Sequence, residues 1–146
     1  MARLEMNNSM TICICDLEKL ADSTPQLCKE MLNAEADVVE PALRAAIASK
    51  GLVDTGALQS AIGRSSRKNG RELLVGPSGY HHSYVPKSGP ARRVRAGYVG
   101  YVHEHGAPQR GIRPKKWMRS TIAQVRGKAL NAAEAAHDKY LKDNNF

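Results

Sequence analysis

Val53-Asp54-Thr55-Gly56-Ala57-Leu58-Gln59-Ser60-Ala61-Ile62 has two readings, and the residues before it choose between them. After a hydrophobic strand, Asp-Thr-Gly would form the loop of an acid protease, whose chemistry needs two carboxylates sharing a proton. Here it follows Ala48-Ser49-Lys50-Gly51, the end of a helical pattern. Leu27, Met31, Ala34, Val38, Ala42 and Ala45 recur at spacings of three and four, which predicts an amphipathic helix over about 25–49. Thr24 offers an N-cap hydroxyl, Pro25 suits the first helical position, and Gly51 suits the stop. Pro41 lacks a backbone donor and crowds the carbonyl of Asp37, so a kink is expected there. Asp54-Thr55-Gly56 then reads as a cap and tight turn opening a short helix near 56–62, which Leu58 and Ile62 anchor to the core.

Upstream, residues 1–10 are polar and expected to be frayed or extended. Thr11-Ile12-Cys13-Ile14-Cys15 reads as a short strand and Asp16-Leu17-Glu18-Lys19-Leu20 as a helical turn. Downstream, Ser65–Gly70 is polar and turn-rich, and Glu72–Gly76 reads as a strand behind the Asn69-Gly70 hairpin signal. Residues 77–97 hold three prolines and three glycines with Lys87, Arg92, Arg93 and Arg95, and read as a long basic loop. Tyr98–Glu104 reads as a strand with Tyr98, Gly100, Val102 and Glu104 on one face and Val99, Tyr101, His103 and His105 on the other. Pro114 suits a helix start, and Met118, Ile122, Val125, Ala129, Ala132, Ala136 and Tyr140 predict a second long helix over about 115–142. The expected fold is α+β: a small antiparallel or mixed sheet against two long helices and the short one, in a single domain spanning 1–146 with flexible tails at 1–10 and 143–146.

Twenty-two basic residues against fourteen acidic ones give a net charge of +8, which attracts polyanions or acidic protein surfaces. One Phe and one Trp leave the core to aliphatic residues, so subunit contacts could add burial. Cys13, Cys15 and Cys28 are an odd set without an export-signal layout, which argues for a reducing compartment and for small buried hydrophobes. No apolar run approaches the roughly 18 residues of a membrane span, so no membrane partner is expected.

His81, His82, His103 and His105 lack the spacing of a metal set, and neither a nucleophile elbow nor a phosphate-cradling glycine loop is present. No catalytic residue, metal or cofactor is expected. Arg92-Arg93-Val94-Arg95, with Lys87 nearby, could track a phosphate backbone, but no sequence-reading motif accompanies it.

Three elements in this order carry a resemblance. They are Asp54-Thr55-Gly56-Ala57-Leu58-Gln59-Ser60-Ala61-Ile62, Tyr98-Val99-Gly100-Tyr101-Val102-His103-Glu104-His105-Gly106, and Pro114-Lys115-Lys116-Trp117-Met118-Arg119-Ser120. Together they resemble the gene-ten-product-like tail-component family of long-tailed double-stranded DNA bacteriophages, the neck or tail-completion proteins. The likeness covers roughly residues 11–142. The chain departs from the family pattern in its long basic segment 77–97, in the His103/His105 pair, and in Ser120, where Pro is usual. The resemblance implies a non-enzymatic virion structural protein, made in the host bacterial cytoplasm and placed at the neck, the head–tail junction. It implies a homo-oligomeric ring, hexameric if it matches a six-fold tail, joined to head-closure or connector proteins and to tail-tube or tail-terminator proteins. It makes Asp54-Thr55-Gly56 structural. The basic segment lies outside the family pattern, and from the residues themselves Lys87, Arg92, Arg93 and Arg95 are expected to contact a subunit, a partner or passing DNA. A tail-terminator position would look nearly identical.

Two other readings remain open from the residues alone. A nucleic-acid-binding accessory protein would use 87–95 and bind DNA with steep salt dependence. A retroviral-type aspartic protease would use Asp54 from two copies.

Overall fold

The computed structural model describes residues 4–6, 12–14, 25–53, 56–84 and 88–143, with backbone alone at 4–6, 12–14 and 81–84. Its elements are strands β1 (Leu4–Met6) and β2 (Ile12–Ile14), helix α1 (Pro25–Ser49), helix α2 (Ala57–Ser60), strands β3 (Ile62–Arg67), β4 (Glu72–Pro77), β5 (Tyr80–Tyr84) and β6 (Arg92–Arg95), helix α3 (Ala96–His105) and helix α4 (Trp117–Asp143). The fold is α+β. One antiparallel sheet runs in the order β1-β2-β4-β3, and a second holds β5 and β6. The long helices α1 and α4 pack on each other more extensively than any other pair of elements, and α1 also covers β4.

Helix α1 ends where the glycine rule places it. Gly51 is left-handed at φ 64°, Leu52 N–H donates to Ile47 O at 2.9 Å and Gly51 N–H to Ala48 O at 3.1 Å. This is a Schellman closure, with Leu52 and Ile47 both buried as its apolar pair. The helix continues through Pro41. Its buried stripe is Leu27, Cys28, Met31, Leu32, Glu35, Ala36, Val39, Leu43, Ala46 and Ile47. That is turned by about one residue from the expected stripe, and Ala45 is exposed. The larger side chains decide the rotation, because burial of Leu, Val and Ile yields more than burial of Ala. Cys28 is 1 % exposed and burial pushes its thiol pKa up, which suits a small buried hydrophobe.

Leu58 and Ile62 are each 2 % exposed and sit in the core as expected. Helix α2 is capped at Gly56, in the left-handed region at φ 77°. Asp54 and Thr55, like Lys87, Cys15, Thr24 and the Asp16–Leu20 turn, lie outside the described residues.

Leu4–Met6, in the stretch expected to be frayed or extended, is extended and pairs with β2 through Leu4↔Ile14. Three expectations are corrected. Residues 62–67, read as partly loop, form β3 along β4. Its polar sequence shows no alternation because β3 is a largely exposed edge strand held by backbone pairing. The 77–97 loop carries the β5–β6 hairpin, with Tyr84↔Arg92 and Tyr80↔Arg95 in register. Tyr98–Glu104 is helix α3, not a strand. There, Ala96, Gly100 and Glu104 recur every four residues and are buried, so tertiary packing overrides the strand preference of Tyr and Val. The second long helix runs over Trp117–Asp143, as expected for about 115–142.

Charged groups tie α1 to β3. Arg64 reaches Asp37 at 2.6 Å and Glu40 at 2.5 Å, and Arg44 pairs with Glu40 at 2.7 Å while donating to Ile62 O at 2.9 Å.

Candidate functional site

Two regions of α3 bring most of the singled-out residues together. The inner side forms a joint with α4. Glu104 is 2 % exposed, and its carboxylate accepts from Met118 N–H at 2.8 Å and Arg119 N–H at 3.1 Å. These are donors that the first turn of a helix otherwise leaves unpaired. Glu104 thus does from a neighbouring helix what an N-cap side chain does locally. The backbone adds to the joint: Lys115 N–H donates to His103 O at 2.8 Å and Lys116 N–H to Glu104 O at 3.3 Å. Lys116 itself is left-handed, at φ 47°.

Trp117 is fully buried and its Nε1–H donates to Gly100 O at 3.1 Å. A Cβ on Gly100 would lie 3.3 Å from the Trp117 ring and 3.2 Å from Pro77, so glycine lets the ring sit against the helix backbone. Gly106 ends α3 at φ 80°, where a Cβ would lie 2.9 Å from Ile112 O and from Pro114. Val102, Met118 and Thr121 complete the buried set. The singled-out residues Val102, Glu104, Gly106, Pro114, Trp117, Met118 and Arg119 therefore belong to one joint. Leu58 touches it, lying 3.8 Å from the same Gly100 Cβ position.

The outer side of α3 is different in character. Tyr98 is 50 % exposed and Tyr101 40 %, and the adjoining hairpin presents Tyr80 at 50 %. The Arg93 guanidinium stacks over the Tyr80 ring at 4.0 Å, a cation–π contact. Tyr101 and His105 rings lie 4.5 Å apart. Tyr98 divides two grooves. One, of about 490 Å³, is lined by Pro77, Gly79, Arg95, Tyr98 and Tyr101. The other, of about 620 Å³, has an apolar floor of Val94, Val99, Val102 and Ile112, with Arg110 at its side.

Arg92, Arg93 and Arg95 thus stand on a strand rather than on a loop, with Arg93 over the Tyr80 ring and Arg95 beside Tyr98. His103 and His105, expected to share a strand face, are two apart on a helix and do not. The side chains of His81 and His82 lie outside the described set. Among the described residues, no cluster of three His, Cys, Asp or Glu is arranged around a common point.

Two residues were missed from sequence. Tyr80 carried no signal, because it falls in the stretch that reads as a loop. Glu35 is 1 % exposed on α1, its Oε1 has no hydrogen-bond partner among the described residues, and burial raises its pKa to about 7. A lone Glu at an apolar-stripe position was its only signal.

Comparison with known proteins returned no matching family model, no matching curated protein and no matching solved structure.

Proposed function

We propose that this chain is a virion structural protein of the head–tail junction, a neck or tail-completion subunit that assembles as a ring between the tail and the DNA-filled head. The observation that supports the reading most is the α3–α4 joint. The elements resembling the phage family supply its cap, its close-approach glycine, its turn glycine and its buried tryptophan. Residues placed this way serve architecture, and no chemical step is needed to account for them.

A ring of head-to-tail subunits needs two complementary surfaces on each copy. The face bearing Tyr80, Tyr98 and Tyr101 with Arg93 and Arg95 has the aromatic and arginine character of protein interfaces. A basic surface beside a DNA channel would also avoid repelling the passing polyanion. The test is the mass of the purified chain by light scattering, combined with immunogold labelling of virus particles. A ring-sized mass or label at the neck supports the proposal. A monomer that labels no part of the particle overturns it.

A further inference from the structure

The charge of the chain is not spread evenly. Between Leu73 and Ala133 the sequence carries eleven Lys and Arg and a single acidic residue, Glu104; the remainder carries eleven basic and thirteen acidic residues. Glu104 is buried with both carboxylate oxygens turned to the start of α4, so it does not offset the arginines at the surface. The basic stretch contains β6, α3 and the turn at Pro108–Arg110, the same elements that enclose the two grooves beside Tyr98.

The distribution of chemistry across this face is uneven too. The larger groove is lined chiefly by the aliphatic Val94, Val99, Val102 and Ile112, with His103 among them. Exposed Arg95 and Arg110 stand at the sides of the two grooves, and half-exposed Tyr98 forms the ridge between them. A phosphodiester backbone is gripped by cations along its path and uses no apolar floor. An apolar centre with a charged rim is the anatomy of a protein-binding patch, with Tyr and Arg as its energetic anchors.

We infer that these grooves dock an acidic protein segment: one large apolar side chain enters the valine–isoleucine floor past Tyr98, and flanking carboxylates meet Arg95 and Arg110. This assignment rests on the groove and the charge distribution and does not require the chain to form a ring.

The test uses the full-length protein to select from a displayed library of random dodecapeptides. The selected peptides are then measured by fluorescence anisotropy, with a short oligothymidylate as a second probe. The expected result is enrichment of peptides that combine a large apolar residue with several carboxylates. Tyr98→Ala, and separately the pair Arg95→Glu and Arg110→Glu, should weaken their binding by on the order of tenfold or more. All three positions are exposed, so circular dichroism should show these variants folded. Three results overturn the inference: no enrichment, enrichment without carboxylates, or binding that both variants leave unchanged. A fourth is oligothymidylate binding more tightly than any selected peptide and losing affinity in the same variants, which assigns the face to nucleic acid.

Discussion

The carboxylate of Glu104 and the backbone N–H of Met118, 2.8 Å apart, join the end of one helix to the beginning of another. The second oxygen of Glu104 takes the N–H of Arg119. Both donors belong to the first turn of α4, whose own N-terminal residues supply no cap acid. Removing the acceptor would leave buried donors without partners, which costs more than a hydrogen bond contributes. Glu104→Ala should therefore destabilise the chain by about 3 kcal/mol. Urea unfolding followed by the single tryptophan, Trp117, reads this at the joint itself. A change below about 0.5 kcal/mol, the range of ordinary surface substitutions, would mean that the cap is not structural.

The glycines of the joint and of the helix beyond it should respond in opposite directions. At Gly106 a side chain meets Ile112 O and Pro114 at 2.9 Å and the backbone is left-handed, so Gly106→Ala should cost roughly 2 kcal/mol or more. Gly127 lies within α4, and among the described residues nothing comes within 4 Å of where its Cβ would stand. Gly127→Ala should raise stability by about 0.5–1 kcal/mol through helix propensity. Paired thermal melts of the two variants check the contrast.

Glu35 gives the fold a pH dependence. Its carboxyl titrates near 7 in the folded chain because burial disfavours the charged form. Unfolded, it titrates near the ordinary carboxylate value of about 4.3. Between those values the native state holds the proton more tightly than the unfolded state, so the contribution is fully present below the unfolded value. It falls as pH rises and is lost above about 7. Glu35→Gln should accordingly be more stable than the parent at pH 8, on the order of 2 kcal/mol, with the advantage fading toward pH 4. Melting curves across that range test it, and a pH-independent difference would contradict it.

The long helices were legible because their apolar spacing runs for many turns and Gly51 marks a stop that the backbone obeys. The rotation of α1 was less legible, since two adjacent stripes are both apolar and only tertiary packing ranks Leu32, Val39 and Leu43 above Ala34, Ala42 and Ala45. Helix α3 was misread for a physical reason. Tyr, Val and Gly prefer strands or turns in isolation, and the helix forms around contacts far away in sequence: Trp117 on Gly100, and Glu104 on Met118. The hairpin of β5 and β6 was hidden by the glycines and prolines around it, because Arg92–Arg95 shows no apolar alternation. The residues of the joint were visible as motifs, but what they do depends on that contact and could not be read from spacing.

The α3–α4 joint also makes Arg64 a useful control. Its pairs with Asp37 and Glu40 lie between α1 and β3, and Asp37 is 69 % exposed. Arg64→Ala should cost only about 0.5–1 kcal/mol and lose most of that cost in high salt. Melts at low and high ionic strength check this, and the salt insensitivity of Glu104→Ala beside it would separate the buried cap from the exposed network.

The most direct measurement of the central claim is electron microscopy of virus particles made without this chain. DNA-filled heads and finished tails should remain separate, and adding the purified chain should restore infectious particles. Normally joined particles at normal yield would contradict it.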